Sequence, residues 1–358
     1  MIVAVDDVEA IRRGVLAALP GNLGALIPPG HVTGASDTVK EELERFLSLL
    51  AEYPNRAGKG LRGQLLLLSA RAHGVRGHGK DDDAGAQAAR VLAEALELFQ
   101  NWVLVHDDIE DDSDERRGQP ALHRQTGMPV ALNVGDAMHV AMWQHLMSLP
   151  AGRYDRAGAL SEFGRMIVHT AAGQHLDLAW VAQRRFDVTE DDYLAMVSLK
   201  TAYYTVVSPL RLGAYAAGAE PSELLERAGL DLGVAFQIRD DVLNLSGGAE
   251  VGKEFAGDLF EGKRTLVLAH LLATAPQAVR QRVVALLDRP RRAKQPEEMD
   301  EVLRMMVEHG SLEYAQGVAE ERLRRGLDVL ERALAPLPDQ AAAARILALV
   351  SELAARPY

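Results

Sequence analysis

Two clusters of aspartates, each at the end of an apolar segment, are the residues of this sequence best suited to chemistry. The first follows ELFQNWVLV and contains Asp107, Asp108 and Asp111, and the second follows FQIR and contains Asp240 and Asp241. Residues four apart share one face of an α-helix, so the carboxylates of Asp107 and Asp111 would repel each other there. A divalent cation offsets such repulsion, and Mg²⁺ prefers carboxylate and phosphate oxygens as ligands.

An acidic run taken alone is more often the solvated end of a helix. Here the acids continue the apolar face of ELFQNWVLV instead of lying opposite to it, which places them at the rim of a core. The second cluster repeats this arrangement, with Asn244 four residues after Asp240. Two such helices facing each other could hold Mg²⁺ between their carboxylates and a diphosphate.

Basic residues occur where an anion would be needed. Lys59 and Arg62 lie three residues apart at the start of the apolar segment LRGQLLLL, where the helix N–H groups add partial positive charge. Two solvated bases at a helix end would have the same spacing, so the spacing alone does not decide between these interpretations. Lys200 lies with Thr201 inside an otherwise apolar stretch, and a buried lysine requires an anionic partner.

The elements that must position these residues are predicted to be helices. The chain has 358 residues with 48% apolar and 5% aromatic residues, a composition that favours helices packed on helices. It has no cysteine, which excludes disulfides and thiolate metal sites and fits a reducing cytoplasm. The net charge of −12 argues against binding nucleic acid or an anionic membrane surface. No apolar run approaches the ~20 residues that span a bilayer, so we expect a soluble protein without membrane insertion.

The pattern of caps and breakers predicts the helix boundaries. Thr38 and Glu41 predict a capping box for a helix that runs to about Glu52. We expect a loop from Gly118 to Gly135, a kink or end at Pro209, and no β-hairpin. The remaining expectations are a short N-terminal helix to about Ala18, a loop over Pro20–Gly34, one helix over residues 151–183, a helix that opens at Thr189, a lid loop or ordinary surface loop over Gly247–Lys263, and breaks near Pro276, Pro290 and Pro338.

Three motifs together resemble the trans-isoprenyl diphosphate synthases, the polyprenyl synthetase family. They are DDIED with the following Arg116-Arg117-Gly118, FQIRDD at residues 236–241, and GKEFAGDLFEGKRT at residues 252–265. The resemblance runs from about Gly58 to the C-terminus. It implies an all-α, single-domain bundle of antiparallel helices around a central apolar cavity, the isoprenoid synthase fold, forming a cytoplasmic homodimer. We assign residues 1–35 to an N-terminal extension and residues 36–358 to the synthase domain.

The resemblance also implies roles for individual residues. Isopentenyl diphosphate would be bound by Gly58, Lys59, Arg62, Gln100 and Arg117. The allylic diphosphate would be bound by Arg116, Gln174, Lys200, Thr201, Gln237, Lys253 and Lys263. Asp177 is a further candidate in the same pocket. Three Mg²⁺ ions would be held by Asp107, Asp108, Asp111 and Asp240, and Asp241 would complete the catalytic set with Lys200.

Three positions depart from the common family pattern. Gly63 stands where a proline usually follows the arginine, and Gln100 stands where many relatives have histidine. Asn244 replaces a third aspartate in the second motif, which removes one charge from that site.

The implied reaction is head-to-tail condensation of isopentenyl diphosphate with an allylic diphosphate through an allylic carbocation. No Ser-His-Asp arrangement is evident, so catalysis would be electrostatic. The resemblance implies that Trp102 and Val103 limit the length of the product. Trp102 lies ~7.5 Å along the helix from Asp107 at 1.5 Å per residue. A tryptophan floor, and no insertion between Asp108 and Asp111, favour geranylgeranyl over farnesyl diphosphate. Trp102 could equally be an ordinary core residue.

Two other function classes compete. A non-catalytic subunit of a prenyl synthase would be expected to lack one aspartate motif or the basic ligands, and this chain retains nearly all of them. A terpene cyclase or head-to-head synthase shares the metal–diphosphate chemistry but does not need the isopentenyl site of Lys59, Arg62 and Arg117.

Overall fold

The computed structural model describes residues 5–22, 36–56, 58–76, 84–246 and 255–354. Most of these residues are helical, which confirms the all-α prediction. Contacts divide the chain into two compact units. Unit 1 comprises Met1–Arg156 with Leu212–Ala219, and unit 2 comprises Ala157–Arg211 with Glu220–Tyr358.

Unit 1 is built from helices and one short hairpin. In chain order these are α1 (Val5–Ala18), α2 (Asp37–Leu50), α3 (Glu52–Asn55), α4 (Leu61–Ala72), α5 (Ala84–Glu110), β1 (Glu115–Arg116), β2 (Gln119–Pro120), α6 (Leu122–Thr126) and α7 (Met128–Met147). Helix α5 packs against α1, α4 and α7. Its residues from Val91 to Phe99 are all buried, as expected of a helix that is apolar around most of its circumference.

Unit 2 contains the remaining elements. They are α8 (Arg156–Ala182), α9 (Glu190–Val197), a π-helical segment (Ser198–Val207), α10 (Ser208–Ala216), α11 (Glu223–Ser246), α12 (Gly257–Glu261), α13 (Leu266–Thr274), α14 (Gln277–Leu287), a 3₁₀ turn (Arg291–Ala293), α15 (Pro296–Glu308), α16 (Ser311–Leu334) and α17 (Gln340–Ala354); the first residue of α8 and the end of α10 count with unit 1. Helix α11 packs mainly against α16 and the π-helical segment.

Several predicted boundaries are confirmed. Helix α1 ends at Ala18, and the helices after Thr265 are interrupted at Pro276, Pro290 and Pro338. The Thr189 start is a full capping box, in which Thr189 Oγ1 accepts from the Asp192 N–H and the Asp192 carboxylate accepts from the Thr189 N–H. The single helix expected over residues 151–183 is α8.

Other expectations were wrong. The N-cap of α2 is Ser36, so Thr38 already lies in the first turn and forms no capping box. The segment predicted as a loop over Gly118–Gly135 contains α6 and the first turns of α7. The chain also forms the hairpin β1–β2, which no alternating apolar pattern announces because its strands have two residues each.

Pro209 does not end its helix. It follows the π-helical segment and is the second residue of α10. Proline has no N–H to donate, so a change of hydrogen-bond register at this point satisfies the backbone without breaking the helix. Residues 23–34 of the expected N-terminal loop and residues 247–254 of the predicted lid segment lie outside the described residues. The described end of the lid segment contains the short helix α12.

Candidate active site

The first carboxylate site, formed by Asp107, Asp108 and Asp111, lies at the C-terminal end of α5. Asp108 is fully buried, whereas Asp107 and Asp111 are half-buried. The Tyr53 hydroxyl donates to Asp108 Oδ2 at 2.5 Å, and Arg116 Nε donates to Asp108 Oδ1 at 2.8 Å. Arg116 Nη2 also donates to Asp107 Oδ2 at 3.2 Å. Protein groups therefore occupy both oxygens of Asp108.

The electrostatics of this site are balanced within the protein. Burial alone would lower the pKa of Arg116, but Asp108 and Asp107 raise it well above its usual value. Burial, together with the charge of Asp108, raises the pKa of Tyr53. Asp111 keeps helical register, since its N–H donates to the Asp107 carbonyl at 2.9 Å. Asp107 and Asp111 thus project from one face as the sequence predicts.

The hairpin β1–β2 carries two adjacent arginines to different places. Arg116 reaches the first carboxylate site, and Arg117 lies beside the basic segment, the name we give to Gly58–Arg62. A Cβ on Gly58 would lie 3.4 Å from Arg117 Nη1. Arg117 and Gly118 have φ values of 54° and 71°, as at the centre of a type I′ turn. That conformation is natural for Gly118 and costs a non-glycine residue about 1–2 kcal/mol.

The basic segment gathers positive charge around Arg117. Burial lowers the pKa of Arg117, and the charges of Arg116, Arg62 and Arg56 lower it further. Lys59 is exposed immediately before α4, and Arg62 is buried in its first turn. The predicted anion ligands Gly58, Lys59, Arg62 and Arg117 are therefore neighbours.

A buried carboxylate stabilises this cluster and was missed from the sequence. Glu97 Oε1 accepts the Gly63 N–H at 3.0 Å and acts electrostatically on Arg117. Only a residue with an N–H can make this bond, which gives the Gly63 departure a structural role. Glu97 could not be recognised from sequence because it lies inside the apolar run of α5.

The predicted chain-length residues lie on different faces of α5. Gln100, Val103 and Asp107 share one face by helical spacing, and all three are half-buried. Trp102 points instead toward α7, where its ring stacks on His139 with centroids 4.0 Å apart and an interplanar angle of 8°. Val103 is therefore the residue aligned with the carboxylate face, and Trp102 supports the α5–α7 contact.

The second carboxylate site, formed by Asp240 and Asp241 on α11, has a similar layout. Asp240 is half-exposed and Asp241 is buried. The Tyr193 hydroxyl donates to Asp241 Oδ2 at 2.6 Å, and Gln237 Nε2 donates to Oδ1 at 2.7 Å. The Thr201 hydroxyl donates to Gln237 Oε1 at 3.0 Å, so the predicted residues Thr201, Gln237 and Asp241 form one chain of hydrogen bonds.

Among the described residues, the hydrogen-bond partners of Asp241 are the neutral Tyr193 and Gln237, whereas Asp108 in the first site also has the cationic Arg116. Burial raises the pKa of Asp241 to about 8, and the neighbouring charges of Asp258 and Asp240 act in the same direction. Hydrogen bonds from Tyr193 and Gln237 offset only part of this shift. Burial, together with Asp241, also raises the pKa of Tyr193.

The Asn244 departure has a local explanation. Asn244 Oδ1 accepts the Asp258 N–H at 3.1 Å, and the Asn244 carbonyl accepts the Ala256 N–H at 2.9 Å. Asn244 thereby ties the start of α12 to α11. It also brings the acidic residue Asp258 into the electrostatic environment of Asp241, so this site retains a third carboxylate from another element. Asp258 was missed from the sequence, although it lies within a motif that resembles the family.

Two predicted lysines converge on one carboxylate in unit 2. Lys200 Nζ and Lys263 Nζ donate to Asp177 Oδ2 at 2.5 and 2.9 Å. Burial alone would raise the pKa of Asp177, but the two lysines hold it well below its usual range. The expected anionic partner of Lys200 is thus Asp177, which is buried and not a surface acid.

The glycine before Gln174 permits the close packing that holds this group. A Cβ on Gly173 would lie 2.2 Å from the Lys200 backbone nitrogen, so α8 and the π-helical segment can approach only because residue 173 is glycine. Gln174 follows on α8 and is half-buried. Lys253 falls outside the described residues, and its predicted role stays a prediction.

The donor chemistry fits Mg²⁺ held jointly with phosphate. Among the residues the structure describes, no three acidic or histidine side chains converge to enclose a metal by themselves. Mg²⁺ is commonly bound by one or two carboxylates, with substrate phosphates and waters completing its shell. The half-buried Asp107, Asp111 and Asp240 fit that requirement, whereas the engaged, buried Asp108 fits an anchoring role.

Comparison with known proteins shows which proteins the chain is similar to. The family model described as polyprenyl synthetase matches residues 44–306. The chain is 33% identical over 277 residues to the short chain isoprenyl diphosphate synthase of Methanothermobacter thermautotrophicus, covering 76% of this chain and 80% of that protein. It is 33% identical over 252 residues to the geranylfarnesyl diphosphate synthase of Natronomonas pharaonis, covering 66% and 72%.

A solved structure extends the similarity to nearly the whole chain. The geranylgeranyl pyrophosphate synthase from Corynebacterium glutamicum, complexed with isoprenyl diphosphate and magnesium, matches with a TM-score of 0.80 and 25% identity. The match covers 98% of this chain and 100% of that one. The expected isoprenoid synthase fold is thereby confirmed. No helix in the described part of the chain is long and apolar enough to cross a membrane.

Proposed function

Because the chain belongs to the polyprenyl synthetase family of trans-prenyltransferases, we propose that it condenses isopentenyl diphosphate head-to-tail with an allylic diphosphate. The products are diphosphate and an all-trans prenyl diphosphate, most simply geranylgeranyl diphosphate. The cell compartment proposed for this reaction is the cytoplasm.

One observation carries the proposal. In unit 1, a carboxylate site suited to a metal–diphosphate and a basic segment suited to a bare diphosphate are joined by one hairpin, which supplies an arginine to each. A terpene cyclase needs only the first of these sites. A non-catalytic subunit has no need for either, so the pairing favours an enzyme that takes two diphosphates.

The residues that would hold Mg²⁺ are Asp107, Asp111 and Asp240, with three ions as the family resemblance implies. When bound, Mg²⁺ neutralises the charge that develops on the departing diphosphate. Asp108 and Asp241 support these ligands indirectly, because they are the buried residues that fix the ends of α5 and α11. We retain Asp241 as a catalytic residue because Gln237 donates a hydrogen bond to it and Thr201 donates one to Gln237.

Charged residues of this chain stabilise the other parts of the reaction. Lys200 and Lys263 balance negative charge on the allylic diphosphate, while Asp177 keeps both ammonium groups aligned when that substrate is absent. Lys59, Arg62, Gln100 and Arg117 hold isopentenyl diphosphate so that its double bond attacks the allylic carbon. The adduct loses a proton to the departing diphosphate, which completes the product, and apolar packing must keep water from the carbocation.

We propose Val103 and Trp102 as the residues that limit product length. Val103 shares the face of Asp107, and Trp102 fixes the spacing between α5 and α7 by stacking on His139. Trp102→Ala should shift the product beyond twenty carbons, and Val103→Phe should shorten it. A geranylfarnesyl diphosphate synthase is among the relatives, so a twenty-five-carbon product is the specific alternative to measure. A farnesyl product would place the limiting residues closer to Asp107.

We further propose a homodimer formed through one face of α7. Met128, Leu132, Val140, Trp143 and Met147 are exposed there at helical spacing, with Met147 75% exposed. Large apolar side chains exposed along one face of a helix are typical of a protein interface. Sedimentation of the wild type and of Met147→Asp tests this, because the charge should shift the protein toward the monomer.

The test of the proposed function is product analysis with substrate omission. The purified chain, Mg²⁺ and ¹⁴C-isopentenyl diphosphate are combined with dimethylallyl, geranyl or farnesyl diphosphate in turn. A labelled ladder that ends at twenty carbons and vanishes without the allylic starter is expected. Hydrocarbon released without isopentenyl diphosphate would indicate a cyclase, and no product with any starter would indicate a non-catalytic subunit.

A further inference from the structure

Arg56 lies beside the basic segment, yet its side chain is directed into the protein. Only 4% of the residue is exposed. Nη1 donates to the Arg116 carbonyl at 2.7 Å, and Nη2 donates to the Pro120 carbonyl at 2.7 Å. Those two carbonyls belong to the last residues of β1 and β2, so one guanidinium holds both strands of the hairpin.

The rest of the Arg56 side chain is also committed. Nε and Nη2 donate to the Glu52 carboxylate at 2.9 and 2.7 Å, and the guanidinium lies 4.3 Å from the centre of the Tyr53 ring. Arginine is suited to this task because its planar fork presents several donors in fixed directions.

The hairpin needs such support because its turn is strained. Arg117 adopts a φ of 54°, a conformation that disfavours side chains with a Cβ. The two-residue strands provide few hydrogen bonds of their own. Without an outside clamp, the turn could relax and rotate Arg116 and Arg117 together.

We infer that Arg56 is a positioning residue for both substrate sites, because it holds the hairpin so that Arg116 and Arg117 reach them together. The expected change in KM values rests on the proposed function, whereas the expected effect on the hairpin does not. Four of the five N–H groups of Arg56 donate to Glu52, Arg116 and Pro120, so this guanidinium is engaged mainly by the protein itself.

The test uses Arg56→Met in the full-length chain, with Arg90→Met as the control because Arg90 is an exposed arginine on α5. Hydrogen exchange of peptides covering residues 113–122 reports the hairpin directly. Exchange there should accelerate roughly tenfold in Arg56→Met and stay unchanged in the control, as loss of charge-assisted hydrogen bonds implies.

Steady-state kinetics supply the second readout. Arg56→Met should raise the KM values for isopentenyl diphosphate and for the allylic diphosphate together, each by roughly tenfold. Arg117→Met should raise the first value alone, and Arg116→Met the second. An increase confined to isopentenyl diphosphate in Arg56→Met would overturn the inference, since it would make Arg56 a direct ligand.

Unchanged hairpin exchange in Arg56→Met would also overturn it. If Arg56→Met does not fold, Glu52→Gln weakens the same clamp and should act in the same direction by about threefold. If the wild type forms no product, the proposed function fails, but faster hairpin exchange would still support the clamp.

Discussion

The two carboxylate sites share one construction and differ in what balances their charge. In each, the first aspartate of a pair is half-exposed, and the second is buried and accepts a hydrogen bond from a buried tyrosine. In the first site Arg116 neutralises Asp108. In the second site the other hydrogen-bond donor to Asp241 is the neutral amide of Gln237.

This difference in charge balance implies that the two sites respond differently to a bound metal ion. In the first site the Arg116 guanidinium balances the charge of Asp108 within the protein. The second site gathers Asp240, Asp241 and Asp258, and burial together with the other two charges raises the pKa of Asp241 to about 8. A bound cation would favour ionised carboxylates there, and metal binding should therefore release protons from the second site.

The largest effect should come from removing the exposed member of each pair. Asp107→Ala and Asp240→Ala should each lower kcat by about a thousandfold, because each removes charge that stabilises the departing diphosphate. Circular dichroism should show both variants folded. Asp300→Ala, an exposed aspartate on α15, is the control. Near-normal turnover in either variant would contradict the metal assignment.

The buried members should differ in their effect on stability. Asp108→Asn leaves Arg116 without its main buried counter-ion and should lower the free energy of unfolding by about 3 kcal/mol. Asp241→Asn should change it by less than about 1 kcal/mol at pH 7 without metal, because a carboxyl with a pKa of about 8 is already largely neutral. Urea denaturation in EDTA measures both, and equal losses would remove the proposed distinction.

The pH dependence of stability should sharpen the same contrast. The folded pKa of Asp241 lies above the unfolded value, so between about pH 4 and pH 8 the folded state binds more protons than the unfolded state. This group should therefore make stability fall as pH rises, with a slope of up to ~1.4 kcal/mol per pH unit. In EDTA, Asp241→Asn should flatten the curve relative to wild type. A curve of the same shape in both proteins would refute the assignment.

The tyrosine hydroxyls should contribute less to stability than the Asp108 carboxylate. Tyr53→Phe should cost about 2 kcal/mol, because the hydroxyl donates to Asp108 and also accepts the Leu122 N–H at 3.2 Å. Tyr193→Phe should cost about 1 kcal/mol, because among the described residues the Tyr193 hydroxyl is hydrogen-bonded to Asp241 alone. Chemical denaturation of the matched pair measures the difference, and a larger loss in Tyr193→Phe would contradict the stronger anchoring by Tyr53.

The sequence predicted the carboxylates but not their anchors. Aspartate pairs at helix ends and a lysine within an apolar run are visible locally, because burial of charge is exceptional. The tyrosines lie 55 and 48 residues from their aspartates, so only the tertiary structure joins them. Helical periodicity also could not decide which member of each pair would be buried.

Other features escaped prediction for equally physical reasons. In the sequence, Arg56 resembles another anion-binding base beside Lys59 and Arg62. The structure shows that it donates to backbone carbonyls instead. The strands of the hairpin have two residues each, too few to show an alternating apolar pattern. The π-helical segment changes the hydrogen-bond register of the helix but has the residue composition of an ordinary helix. Long helices with strong caps, such as the one opened by Thr189, were predicted well because their signals are local.

The most direct test of the two-site account is calorimetric binding of an allylic thiolodiphosphate. In this ligand sulfur replaces the oxygen between the allylic carbon and the first phosphorus, so the diphosphate departs very slowly. The wild type should bind it only when Mg²⁺ is present, and Asp107→Asn and Asp240→Asn should each weaken that Mg²⁺-dependent binding by about a hundredfold or more. Binding of equal strength without Mg²⁺, or unchanged binding in either variant, would contradict the claim that both carboxylate sites take part in holding a metal–diphosphate.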